Sequence, residues 1–121
     1  MTKNTKVNAA ILIIGNEILS GRTQDTNTST LATWLNSIGV KVAEVRVVPD
    51  EEKVIVDTLN HLRKTFSYVF TTGGIGPTHD DITAESISKA FNKKYEFHRE
   101  AFKILENYYG KSKFNDGRKK M

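Results

Sequence analysis

The chain alternates short apolar runs with stretches of helical period. Residues 9–14 form an unbroken apolar run, Ala-Ala-Ile-Leu-Ile-Ile, ended by Gly15. A run this short and continuous predicts a strand buried on both faces, as in a parallel sheet. Gly15 to Gly21 reads as a loop or short turn. Leu31, Trp34, Leu35 and Ile38 then recur at helical spacing and predict one helix face, with Trp34 in the core. Asp25 or Asn27 is the expected N-cap and Gly39 the residue that ends it. Val40 to Val48 is rich in valine and partly alternating, which predicts a strand nearer the sheet edge. Pro49-Asp50-Glu51-Glu52 opens a second helix carrying Ile55, Leu59, Leu62 and Phe66 on one side.

A third strand is expected over residues 67–71. After it come Thr71-Thr72-Gly73-Gly74-Ile75-Gly76-Pro77-Thr78-His79-Asp80-Asp81-Ile82-Thr83 and a helix from about Asp81 to Phe91, with Ala84, Ile87 and Phe91 inward. A short extended piece at 95–97 and a helix over about 99–109, stopped by Gly110, complete the pattern. Strands alternating with helices imply parallel strands, right-handed crossovers and helices on both sheet faces. Ligands of such open sheets bind beyond the carboxyl ends of the strands. Those ends carry Gly15 to Gly21, Pro49-Asp50 and Gly73 to Asp81.

Composition narrows the class. A chain of 121 residues suits one domain with a real core. With no Cys, disulfides, thiolate metal sites and Cys nucleophiles are excluded. Residues 1–8 are polar and lack the apolar segment of a signal peptide, and no apolar run approaches membrane-span length. A cytoplasmic protein is expected. The formal charge of +4 resides in residues 110–121, where five basic residues face one acid, so the remainder is neutral. Residues 1–8 and 111–121 are expected as tails around a domain at 9–110. A nucleic-acid partner is disfavoured and a membrane partner is not expected.

The chemistry concentrates in the glycine loop. Three glycines within four residues, followed by Pro77 and a helix start, exceed what one turn needs. A loop of free N–H groups at a helix N-terminus suits phosphate. Neither the Walker loop nor the dinucleotide fingerprint is present. Asp80 and Asp81 make sense beside phosphate if a divalent metal or a reacting hydroxyl lies between. One of them alone is accounted for as a helix cap. Asp50 reads equally as the cap of the helix that Glu51 and Glu52 enter. Glu17, at a strand end, suits a metal, a ring nitrogen or plain solvent. His79 suits a proton shuttle, a phosphate partner or a plain polar role. His61 and His98 read as surface residues. No histidines have metal-ligand spacing, and no serine-hydrolase pattern is present.

The glycine loop resembles the signature of the molybdopterin-binding (MogA/MoaB-like) domain family, most closely the variant in the N-terminal domain of CinA, the competence/damage-inducible protein. Gly15-Asn16-Glu17-Ile18-Leu19-Ser20-Gly21 with Asp25-Thr26-Asn27 resembles the first motif of that branch. Val48-Pro49-Asp50-Glu51 resembles a third. The resemblance covers residues 8–110.

It implies a three-layer α/β/α domain with a mostly parallel, mixed sheet. It implies a pterin or nucleotide ligand with phosphates and a homo-oligomer. Asp50 and Asp81 are the implied catalytic carboxylates. The ligand set is Gly15, Glu17, Thr72, Gly73, Gly74, Gly76, Pro77, Thr78 and Thr83, with a divalent metal such as magnesium at Asp80 and Asp81. Three functions follow as expectations: a domain binding molybdopterin or a nucleotide phosphate, a metal-dependent ADP-ribose pyrophosphatase of the CinA type, and a catalytically silent oligomerising module. Family domains continue for several tens of residues with further strands and a second glycine/proline-rich motif, so a C-terminally truncated domain is expected. The amidase domain that follows in full CinA is not in this chain.

Overall fold

In the computed structural model, described over residues 7–79, 81–93, 102–104, 106, 107, 110 and 116, three strands form one parallel sheet. The elements are β1 (Asn8–Ile14), α1 (Asn16–Leu19), α2 (Asn27–Ser37), β2 (Lys41–Val48), α3 (Glu52–Thr65), β3 (Tyr68–Thr72) and α4 (Thr83–Ala90). The spatial order is β2-β1-β3. Ile11 lies opposite both Val45 and Phe70, so β1 is central. That position accounts for its continuous apolar sequence, since Ala9 to Ile14 are all at most 4% exposed.

The chain crosses from β1 to β2 in one direction and from β2 past β1 to β3 in the other. Right-handed crossovers then put α2 and α3 on opposite faces. Ala10, Leu12 and Ile14 pack with Ile55, Leu59 and Leu62 of α3 and Ala90 of α4. Ala9, Ile11 and Ile13 point the other way, as strand alternation requires. Full burial of each large aliphatic side chain contributes about 1.5–3 kcal/mol. A bulge between Ala9 and Ala10 shifts the register with β2 by one residue. Lys89 Nζ donates to Glu52 Oε2 at 2.7 Å and ties α4 to α3 on the surface. That bond holds the Lys89 ammonium above its ordinary range.

Three expectations change. Trp34 and Ile38 are each 56% exposed, while Leu35 is buried. β2 is an edge strand and α2 packs over it, so only the stripe through Leu35 meets the sheet. Helix α4 begins at Thr83 and buries Thr83, Ser86 and Ala90. Ala84 is exposed, Ile87 is half-buried and Phe91 is 42% exposed. Small side chains line the buried face, which lets α4 approach α3 and the glycine loop closely. Phe91 instead lies under the Arg63 guanidinium, 4.5 Å from the ring centroid. Finally, the N-cap position of α2 is Thr26, without a side-chain bond, and Asp25 one residue earlier accepts from the Asn27 and Thr28 N–H groups.

Residues 102–104, 106 and 107 are helical, and the Gly110 N–H donates to Glu106 O at 2.9 Å. Most of the expected 99–109 helix, the 95–97 piece, His98 and nearly all of both tails lie outside the described residues. No helix of the described residues is long and apolar enough to cross a membrane.

Candidate functional site at the strand ends

The order β2-β1-β3 sends the loops after β1 and β3 to opposite faces, and open sheets of this kind bind ligands beyond the strand ends at such a point. The loop after β3 begins with Gly73 and Gly74, with φ of 87° and 65°. A Cβ on Gly73 would overlap the Ile14 carbonyl oxygen, and one on Gly74 would overlap Thr83 Oγ1. Glycine is required at both positions, by backbone angle and by close approach. The β3 loop is thereby pressed against the end of β1.

Thr83 holds this loop from beneath. Its hydroxyl donates to Gly73 O at 2.8 Å and its N–H to Gly74 O at 3.1 Å. It is 1% exposed. Both of these polar groups serve the loop, so Thr83 supports its shape from within the fold. The N–H groups of Gly74, Ile75 and Gly76 have no acceptor among the described residues.

Asp81 braces the outer part of the loop. Its Oδ2 accepts from the Thr78 N–H at 3.0 Å and from Thr78 Oγ1 at 2.7 Å. The Asp81 N–H donates back to Thr78 O at 3.1 Å. A Cβ on Gly76 would lie 2.8 Å from Asp81 Oδ2, so the carboxylate fills the space that glycine leaves. Asp81 therefore closes a turn and does not cap α4, whose N-cap position is Ile82 without a side-chain bond. Ile75, Pro77, Thr78 and His79 are exposed, and Thr72 ends β3 opposite Ile13. Asp80 lies outside the described residues.

The β1 and β2 loops are joined by three bonds. The Gly15 N–H donates to Val48 O at 3.0 Å. The Asn16 N–H donates to Asp50 Oδ2 at 3.0 Å, and the Asp50 N–H donates to Asn16 Oδ1 at 3.1 Å. Asp50 thus does not cap α3, where Glu51 holds the N-cap position with no side-chain bond. Its carboxylate turns to the start of α1 instead. Glu17 sits in the first turn of α1, its carboxyl folded over Gly15. Asn16 was missed by sequence reasoning. An Asn directly after a strand-ending Gly was the available signal, since its amide oxygen can accept a neighbouring loop's N–H.

Among the described residues, no three His, Cys, Asp or Glu side chains are grouped to hold a metal ion. Asp50 Oδ2 and Asp81 Oδ2 are each occupied by hydrogen-bond donors. The divalent metal expected at Asp80 and Asp81 would need Asp80, which lies outside the described residues, and no chemistry is derived through it.

Comparison with known proteins agrees with this geometry. A family model described as "Probable molybdopterin binding domain" matches residues 10–119. A protein of Archaeoglobus fulgidus is 40% identical over 95 residues, 78% of this chain and 42% of its own. The chain thus spans about two fifths of that relative's length. The crystal structure of CinA from Thermoplasma acidophilum superposes with a TM-score of 0.88 at 30% identity, over 96% of this chain and 69% of that one. The tungsten cofactor synthesizing protein MoaB of Pyrococcus furiosus does so with a TM-score of 0.65 at 25% identity, over 89% and 67%. The sheet order, the glycine loop pressed on β1 and the match across residues 10–119 together show that this chain belongs to the molybdopterin-binding domain family.

Proposed function

We propose that this domain binds a phosphate-bearing pterin or nucleotide on the glycine loop beyond the carboxyl ends of β1 and β3. The observation that carries the reading is the run of N–H groups at Gly74, Ile75 and Gly76 with no acceptor among the described residues. Successive turn N–H groups are suited to phosphate oxygens. Asp50 and Asp81 would repel phosphate, so their part is to accept from N–H or O–H groups of the ligand's ring or sugar. One oxygen of each is fixed by the protein. Asp50 Oδ1 has no partner among the described residues and is suited to such a group. The match to a family described as a probable molybdopterin binding domain supports the pterin.

A metal-dependent ADP-ribose pyrophosphatase is the second reading, favoured by the resemblance of the Gly73 to Asp81 loop to the CinA variant. It requires acids or a partner beyond the described set. Calorimetric titration of the chain with molybdopterin and with ADP-ribose, each with and without EDTA, tests the first reading. Saturable binding of either ligand that survives EDTA is expected, because backbone N–H groups supply the phosphate contacts. Failure of both ligands to bind overturns it and leaves the silent oligomerising module. Release of AMP from ADP-ribose with magnesium, lost in Asp81→Asn, would establish the hydrolase.

A further inference from the structure

The two bonds between Asn16 and Asp50 form a closed exchange between loops 34 residues apart. Each residue gives its backbone N–H to the other's side-chain oxygen. The pair continues the β1–β2 register past its last partners, Ile14 and Val48, because the Gly15 N–H already reaches Val48 O. Pro49 lies between Val48 and Asp50 and fixes its own φ. The Glu51 N–H closes a tight turn on Pro49 O at 2.8 Å. The Asp50 backbone is therefore held from three directions: proline, the turn, and the Asn16 amide oxygen.

We infer that Asn16 is a positioning residue that holds the Asp50 carboxylate in one orientation at the carboxyl edge of the sheet, with Oδ1 left to meet the ligand. This rests on the binding function proposed above. The Asn16 amide accepts from the Asp50 backbone, which aims the carboxylate so that Oδ2 meets the Asn16 N–H. Oδ1 is left without a partner among the described residues. A carboxylate with one oxygen pinned and one unengaged presents a single acceptor in one direction. A solvent-exposed Asp without such bracing samples several rotamers, and ordering it on binding costs affinity. Asn suits the role because its side chain supplies an acceptor without charge, whereas a second carboxylate here would repel Asp50.

Three variants and two readouts test this. Asn16→Ala removes the acceptor, Asp50→Ala removes the carboxylate, and the double variant closes a thermodynamic cycle. Titration with ADP-ribose and with molybdopterin measures affinity, and amide hydrogen exchange at Asp50 reports the clamp directly. Asn16→Ala is expected to weaken binding roughly 5–10-fold, the scale of one net hydrogen bond. In the Asp50→Ala background the same change is expected to have no effect on binding. The melting temperature of Asn16→Ala is expected to fall by no more than about a few degrees, because the one bond lost is exposed. Exchange at the Asp50 amide is expected to quicken at least roughly tenfold, a loss on the same single-bond scale. Asn16→Ser, which restores an acceptor at shorter reach, should recover part of both. Equal losses in the Asp50→Ala background would overturn the inference, since Asn16 would then act without Asp50. If wild type binds neither ligand, the functional reading fails by itself. Unchanged exchange at Asp50 in Asn16→Ala would then still overturn the clamp.

Discussion

At the scale of single residues, the glycines of the site are not equivalent. Gly15 has extended backbone, and a Cβ there would meet the Glu17 carboxyl, the end of a flexible side chain. Gly73 has φ of 87° and meets the Ile14 backbone, which cannot move without breaking the sheet. Gly73→Ala is therefore expected to destabilise the domain by about 2–3 kcal/mol, and Gly15→Ala by well under half of that. Urea unfolding of the two variants measures the difference, and equal midpoints would contradict the close approach. Thr83 gives a second prediction. Thr83→Val keeps the shape but leaves Gly73 O without its hydroxyl donor, which costs about 1–3 kcal/mol. The same unfolding experiment reads it, and Thr83→Ser should recover most of the loss. Glycine need was legible in the sequence from three glycines in four residues. The loop-holding use of Thr83 was not, because a threonine at a helix start looks alike whether it faces ligand or the chain's own carbonyls.

At the scale of elements, the strands were more legible than the helix faces. The β1 run is apolar at every position because both faces of the central strand are covered, and that pattern has few other causes. Helical periodicity, by contrast, names a stripe but not its rotation against the sheet. For α2 the stripe was too wide: Leu35 is buried while Trp34 and Ile38 stand 56% exposed. Leu35→Ala is expected to cost about 2–5 kcal/mol. Trp34→Gln is expected to fall within about 0.5 kcal/mol of wild type, as exposed substitutions usually do. Thermal melts of both variants check the assignment, and a large loss from Trp34→Gln would show that a further surface covers it. For α4 the apolar residues Ile87 and Phe91 drew attention from Thr83, Ser86 and Ala90, the small residues that make close packing possible. Short elements were harder still, since α1 is one turn and owes its start to Asp50, 34 residues away.

At the scale of the whole molecule, topology decides where chemistry gathers. Because β1 lies between β2 and β3, all three carboxyl-end loops meet at one edge, and two of them leave toward opposite faces. That convergence was legible from the alternation of strands and helices. The bonds that stiffen it were not, because Asn16 with Asp50 and Gly73 with Ile14 are contacts between distant segments. The central claim is that the N–H groups of Gly74, Ile75 and Gly76 receive the ligand's phosphate. Its most direct test is a titration of the nitrogen-15-labelled chain with ADP-ribose and with molybdopterin, followed by amide NMR shifts. The account expects the largest, saturable shifts at Gly74, Ile75 and Gly76, with smaller ones at Asn16 and Asp50. Saturable shifts that leave these three amides unmoved, or that centre elsewhere on the sheet, would contradict it.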